Sequence, residues 1–162
     1  MNKIISIKQA AKLSQELRSL GRKIVLAGGV FDILHIGHVK FLEKAQQRGD
    51  ILFVFLESDD NTRKLKGKNR PVNSQKNRAI ILSALTLVDY VVLLPTLKTD
   101  AEYDKVVSQI RPSIIATTAN DPDIKHKKRQ AKLINGKIAY VTKRVPEQST
   151  SRIVSLNNLK AL

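Results

Sequence analysis

The chain contains no cysteine and no tryptophan, a single methionine, and only 4% aromatic residues. Without thiols it can form no disulfide, thiolate nucleophile or zinc–thiolate site, which suits a reducing compartment. So few aromatic rings argue against a platform on which single-stranded bases stack. No apolar run approaches the length of a membrane span. The opening residues, Met1 to Lys8, turn polar too early for a signal-peptide core. A cytoplasmic protein with no membrane partner is therefore expected. Acidic residues are also scarce. Fourteen Asp and Glu stand against 29 Lys and Arg, leaving a net charge of +15. Such an excess favours anionic partners such as nucleotides, sugar phosphates or nucleic acid, although it bears on association and solubility and not on fold.

At 162 residues and 42% hydrophobic content the chain reads as one globular domain, residues 1–162. Apolar spacing predicts a leading helix over Ile7–Leu20 within residues 1–22, stopped by Gly21. Further helices are predicted over Gly37–Arg48, Ser74–Leu87, Ala101–Ile110 and Asp123–Ile134, with a closing helix over Ser149–Leu159 within residues 149–162. Five short apolar segments read as strands: 23–28, Ile51–Leu56, Tyr90–Leu94, Ser113–Thr117 and Lys137–Thr142. Asn61–Arg70 reads as a loop or short helix. Strict alternation of strand and helix predicts an α/β fold, a parallel five-stranded sheet with helices on both faces. Ligands of such sheets bind beyond the carboxyl ends of the strands.

The most informative stretch is Gly28 to His38, Gly-Gly-Val-Phe-Asp-Ile-Leu-His-Ile-Gly-His. It lies where the first core strand gives way to a helix. His35 and His38 are three apart and share a helix face. Amides at a helix start attract phosphate, and Gly28, Gly29 and Gly37 allow close approach of backbone to ligand. An isolated histidine is more often structural. Two of only three histidines in one glycine-flanked turn point to a phosphate cradle with two imidazole donors.

The same residues resemble the signature of the cytidylyltransferase-like nucleotidyltransferases, which have a Rossmann-like fold of the HUP type. The heptose 1-phosphate adenylyltransferases are especially similar. The resemblance takes in Leu20-Gly21-Arg22-Lys23, Gly49-Asp50, Glu57-Ser58-Asp59, Arg63 to Gly67, Arg70-Pro71-Val72-Asn73, Arg78 and Val88 to Val92. It thins after residue 112. Where heptose adenylyltransferases usually carry Lys-Gly-Gly-Asp after the fourth strand, this chain reads Ala116 to Asp121. Arg144 to Arg152 resembles the family's closing Ser-Thr-Thr signature, with Arg144 more like glycerol-3-phosphate cytidylyltransferase.

The resemblance implies attack by an acceptor phosphate on the α-phosphorus of a nucleoside triphosphate carried with Mg²⁺. ATP with a heptose-like sugar 1-phosphate is the first choice, and CTP with glycerol 3-phosphate the second. FMN adenylyl transfer and an RNA- or nucleotide-binding module without turnover remain alternatives. His35, His38 and Lys64 would be catalytic. Gly28, Gly29, Val30, Phe31, Asp32, Gly37, Arg78, Ser149, Thr150 and Ser151 would hold the nucleotide. Lys66, Asn120 and Arg144 would hold the acceptor. Asp32 reads equally as a loop anchor or as a carboxylate that helps place Mg²⁺. The basic run Lys125 to Lys132 reads as a solvated helix face in preference to a nucleic-acid patch, with His126 exposed and lacking a metal-binding partner. A homodimer is expected from the family.

Overall fold

A computed structural model describes residues 2–143. Arg144, Ser149, Thr150, Ser151 and the expected closing helix lie outside the described residues. Within them the chain runs β1 (Ile4–Ser6), α1 (Ile7–Ser19), β2 (Ile24–Gly29), α2 (Ile36–Gln46), β3 (Ile51–Leu56), α3 (Asp59–Lys66), α4 (Gln75–Ser83), β4 (Tyr90–Leu93), α5 (Asp100–Ile110), β5 (Ile114–Ala119), α6 (Ile124–Leu133) and β6 (Lys137–Lys143). The described strands form one parallel sheet in the order β1-β4-β3-β2-β5-β6.

Residues along the central strands alternate between two apolar cores, as the two-residue side-chain period of a strand requires. Ile24, Leu26, Phe53, Phe55 and Ile115 face one core. There they pack on Ala10 of α1, Val106, Val107 and Ile110 of α5 and Ala131 of α6. Val25, Ala27, Leu52, Val54 and Ala116 face the other, against Phe41, Leu42 and Ala45 of α2 and Ala79 and Leu82 of α4. Burial on both faces explains why β3 reads as an uninterrupted apolar run. Capping boxes start α1 (Ser6 with Gln9) and α5 (Thr99 with Glu102). Gly49 lets the turn before β3 lie against the first core strand. A Cβ there would sit 2.7 Å from Val25 Cγ2 and 2.8 Å from the Lys23 carbonyl.

The sheet has six strands and not the five expected. The extra strand, β1, is three residues long and pairs with β4 at the edge, too short to show a period in sequence. Residues 59–66 form a true helix, with Ser58 as its cap. α4 stops at Ser83, short of the expected Leu87.

From β2 the chain moves outward through β3 to β4, then crosses back to β5 on the other side of β2. The direction of winding therefore reverses between β2 and β5. That reversal opens a crevice at the carboxyl ends of the strands.

Candidate active site

A cavity of about 900 Å³ occupies that crevice. Gly28, Gly29, Val30, Phe31, Asp32, His35, Gly37 and His38 all line it. His35 is the N-cap of α2 but gives no side-chain cap bond, so the amides of the first turn lack a partner from that imidazole. The two imidazoles stack, with centroids 3.8 Å apart and planes 26° apart. Phe31 meets His38 edge-on at 5.2 Å. Phe31 holds a left-handed backbone, φ 46°, a costly state for a bulky residue. Its ring occupies the space beside Gly29, where a Cβ would lie 3.0 Å from it. The second glycine of the motif thus makes room for the aromatic ring that backs His38.

Nδ1 of both histidines is buried without a hydrogen-bond partner. Unpaired buried nitrogens are uncommon in folded proteins, and a catalytic role is one recognised reason for them. Burial lowers the pKa of His35. Burial, reinforced by the neighbouring His35 charge and opposed by a hydrogen bond to the Ile33 backbone, lowers that of His38 to about 4. Both shifts favour the neutral imidazole.

Behind this cradle, residues 70–73 form a strap tied down by Asp32. The Asp32 carboxylate accepts from Arg70 Nε at 2.6 Å, Val72 N at 2.9 Å and Asn73 N at 2.9 Å. Burial alone would raise its pKa; the Asn73 and Val72 amides and the Arg70 guanidinium outweigh it, so the carboxyl titrates below its usual range. Of the two roles expected for Asp32, the geometry supports the loop anchor, because both oxygens are engaged. Arg70 and the exposed Lys66 line the cavity.

Three expected site residues lie elsewhere. Arg78 is fully buried, and its guanidinium is bound inside the protein. Nε donates to Asn73 O, Nη1 to Val30 O, and Nη2 to Glu57 O and Asp59 Oδ1, at 2.5–3.0 Å. It is a clip joining the ends of β2 and β3 to the strap, with four of its five N–H donors engaged within the protein. Lys64 is exposed on α3 and does not line the cavity, unlike Lys66 two residues on. Asn120 is exposed at φ 63° in the turn after β5 and serves turn geometry; its neighbours Thr118 and Asp121 line the cavity instead.

The wall contributed by β5, α6 and β6 was not legible in the sequence. Asp121 accepts from Thr117 Oγ1 and from Lys127 Nζ, and Lys127 also reaches Thr117 Oγ1 at 3.3 Å. Burial raises the Asp121 pKa, but the bonds from Lys127, Thr117 and the Asp123 amide outweigh it and lower it overall. Half of the basic helix is likewise paired. Arg129 grips both oxygens of Asp104 at 2.9 and 3.0 Å and touches Asp100 at 3.1 Å. His126, exposed as expected, sits 3.0 Å from Asp100 and lines the cavity. Lys125, Lys128 and Lys132 are solvent-exposed as expected. The signal for Asp121 was its place just past a predicted strand end, where such sheets bind ligands.

This arrangement suits a polyanion lying across a helix start, with imidazole donors beneath and cations at the rim. The model of the cytidylyltransferase-like family matches residues 26–156, from within β2 onward. The chain belongs to the cytidylyltransferase-like family. Among curated relatives, the bifunctional protein HldE of Aliarcobacter butzleri is 38% identical over 152 residues, 89% of this chain and 31% of that protein. HldE of Wolinella succinogenes is 53% identical over 91 residues, 56% of this chain and 19% of that protein. The chain thus spans a third or less of these relatives. A lipopolysaccharide core biosynthesis protein from Thermoplasma volcanium superposes with TM-score 0.65 at 29% identity, covering 77% of this chain and all of that one. A pantoate-β-alanine ligase from Francisella tularensis gives TM-score 0.62 at 19% identity, covering all of this chain and 79% of that one, and shares the fold.

Proposed function

We propose that the chain is a nucleotidyltransferase that moves a nucleoside monophosphate from ATP to a sugar 1-phosphate of the heptose type, releasing pyrophosphate. The observation that carries this reading is the stacked His35/His38 pair, its buried Nδ1 atoms unpartnered at the start of α2. The HldE relatives support the nucleotidyl-transfer class, and the resemblance to heptose adenylyltransferases supports the acceptor.

In this reading an oxygen of the acceptor phosphate attacks the α-phosphorus. The bond from the α-phosphorus to the α–β bridging oxygen breaks, and its electron pair leaves with pyrophosphate. The nucleophile is already anionic, so no general base is required. Catalysis then rests on alignment and on donors aimed at the crowded phosphorus and leaving group. The imidazoles and the first amides of α2 supply those donors. Lys66 and Arg70 offset charge at the rim. Mg²⁺ would arrive on the triphosphate and shield its oxygens. The described residues form no cluster of three or more ligands for it, and Asp32 is occupied by the strap. A homodimer in the cytosol goes with this reading. No described helix is long and apolar enough to cross a membrane.

The test is pyrophosphate release with Mg²⁺, offering ATP and CTP separately against sugar 1-phosphates, glycerol 3-phosphate and FMN. ATP with a heptose 1-phosphate is the expected pair. Turnover with CTP and glycerol 3-phosphate would replace the substrates and keep the reaction. Nucleotide binding without release on any acceptor would replace the enzyme by a binding module.

A further inference from the structure

Glu57, just past the end of β3, is a carboxylate in the cavity wall that the transfer chemistry does not use. It is held in place from outside the cradle. Tyr103 of α5 donates its hydroxyl proton to the carboxylate, lying 3.1 and 2.9 Å from the two oxygens. Asn61 Nδ2, on α3, reaches Oε2 at 3.3 Å and the Tyr103 hydroxyl at 2.9 Å. Asn61 is itself buried and fixed by the Leu97 carbonyl at 3.0 Å. Burial raises the pKa of Glu57. The bonds from Tyr103 and Asn61 and the Arg78 charge oppose that, and the Asp123 charge adds to it.

A carboxylate offers about four acceptor positions. Tyr103 spends its only proton on it, while the two Asn61 Nδ2 protons are shared among Leu97 O, the Tyr103 hydroxyl and, at the longest distance, Glu57. Unfilled acceptor capacity therefore lies on Glu57, and Glu57 and Tyr103 both line the cavity. A ligand group that completes this set must donate hydrogen bonds. We propose that Glu57, oriented by Tyr103 and Asn61, is the subsite that recognises the hydroxyl groups of a polyhydroxylated acceptor. This rests on the reading of the chain as a sugar-phosphate nucleotidyltransferase and names how that acceptor is chosen. Two carboxylate oxygens held in a fixed plane match a pair of adjacent hydroxyls, each donating to one oxygen. A quaternary ammonium would be the other partner for such an acid, by charge alone, since it has no N–H to donate. It favours being walled in by several aromatic faces, whereas here Tyr103 turns its hydroxyl to the carboxylate.

The experiment titrates heptose 1-phosphate, mannose 1-phosphate and phosphocholine into the full chain with a non-hydrolysable ATP analogue present. It compares wild type with Glu57→Gln and Tyr103→Phe, and sets steady-state KM and kcat beside it. The sugar phosphates are expected to bind wild type, and Glu57→Gln to weaken them at least tenfold. Tyr103→Phe should weaken them less, because the carboxylate remains. KM for ATP and the melting temperature should stay near wild type in both. Sugar phosphate binding that is lost in Glu57→Gln but accompanied by no turnover in wild type would keep the subsite and remove the transferase reading. Three results would overturn the subsite: no sugar phosphate binding to wild type, phosphocholine binding better than the sugars, or variants that lower ATP affinity and melting temperature together with the sugars.

Discussion

On one side of the cavity, Gly28 to His38 present glycine, backbone amides and two neutral imidazoles, and leave two buried nitrogens without partners. On the other, residues 117–130 present Asp121, His126 and Lys127, each paired within the protein. The two sides spend their polar atoms in opposite ways. A buried polar group left open has a high free energy until a ligand arrives, and so becomes a seat for one. Groups already paired gain less from a ligand and mainly fix where the wall stands. Net charge is therefore a poor guide to the working surface of this +15 chain. Its most basic helix is half neutralised by its neighbours, while the cradle carries almost no charge of its own.

The cradle keeps its shape through Arg78, so the largest expected effect comes from cutting that clip. Arg78→Met leaves the Val30, Glu57 and Asn73 carbonyls and the Asp59 carboxylate without their donor. Removing one partner of a buried ion pair costs about 3–5 kcal/mol. Asp59 is about one-third exposed and can rehydrate, which favours the lower end. Urea denaturation should show a loss of about 3 kcal/mol, with turnover falling alongside. An unchanged urea midpoint with a raised KM for ATP would mean that Arg78 meets the nucleotide directly, and the contrast between the cradle and its frame would dissolve.

Next in size is the cradle itself. His38→Ala and His35→Ala should each lower kcat by about a hundredfold or more, as loss of one transition-state donor does, with little change in melting temperature. The low pKa of His38 adds a second observable. An unfolded histidine titrates near 6.5 and this one at about 4, so between those values the unfolded chain binds more protons. The His38 contribution to stability is then full above pH ~6.5 and declines as pH falls toward 4. A bound triphosphate reverses the cause, because its charge favours imidazolium. ATP binding at pH 6–7 should take up protons, seen as a calorimetric enthalpy that varies with the ionisation enthalpy of the buffer. His38→Ala should reduce that uptake. No uptake in wild type would place the triphosphate away from the imidazoles.

The cradle could be read in sequence because its parts are contiguous: three glycines, a strand end, a helix start and both histidines within eleven residues. Alternating apolar segments likewise exposed the parallel sheet, except β1, whose three residues carry no period; the strand order was not among the expectations. What escaped were contacts made across the chain. Asp32 meets Arg70 38 positions away, and Glu57 meets Tyr103 46 positions away. Arg78 looks in sequence like any cation near a phosphate site, and only its full burial among carbonyls shows otherwise. Lys64 and Lys66 lie on one short helix, and the rotation of two residues, about 200°, sends one to solvent and the other to the cavity rim. Asn120 is one residue from Asp121, which lines the cavity; residue order alone does not give the direction of a turn.

The smallest expected effects lie on the paired wall, and they separate contact from frame within it. Lys127 lines the cavity with its side chain 23% exposed, whereas Arg129 points to Asp100 and Asp104 and does not line it. Lys127 has three ammonium protons, with Asp121 and Thr117 as acceptors for two. The third is available to an acceptor phosphate. Lys127→Met should therefore raise acceptor KM about tenfold, near the worth of one hydrogen bond to a charged group, and leave KM for ATP alone. Arg129→Gln breaks an ion pair that solvent screens, so it should leave both KM values unchanged and move the melting temperature little. A Lys127→Met protein that melts earlier while keeping both KM values would make this entire wall a frame. The acceptor phosphate would then have to be sought on the Lys66–Arg70 side of the cavity.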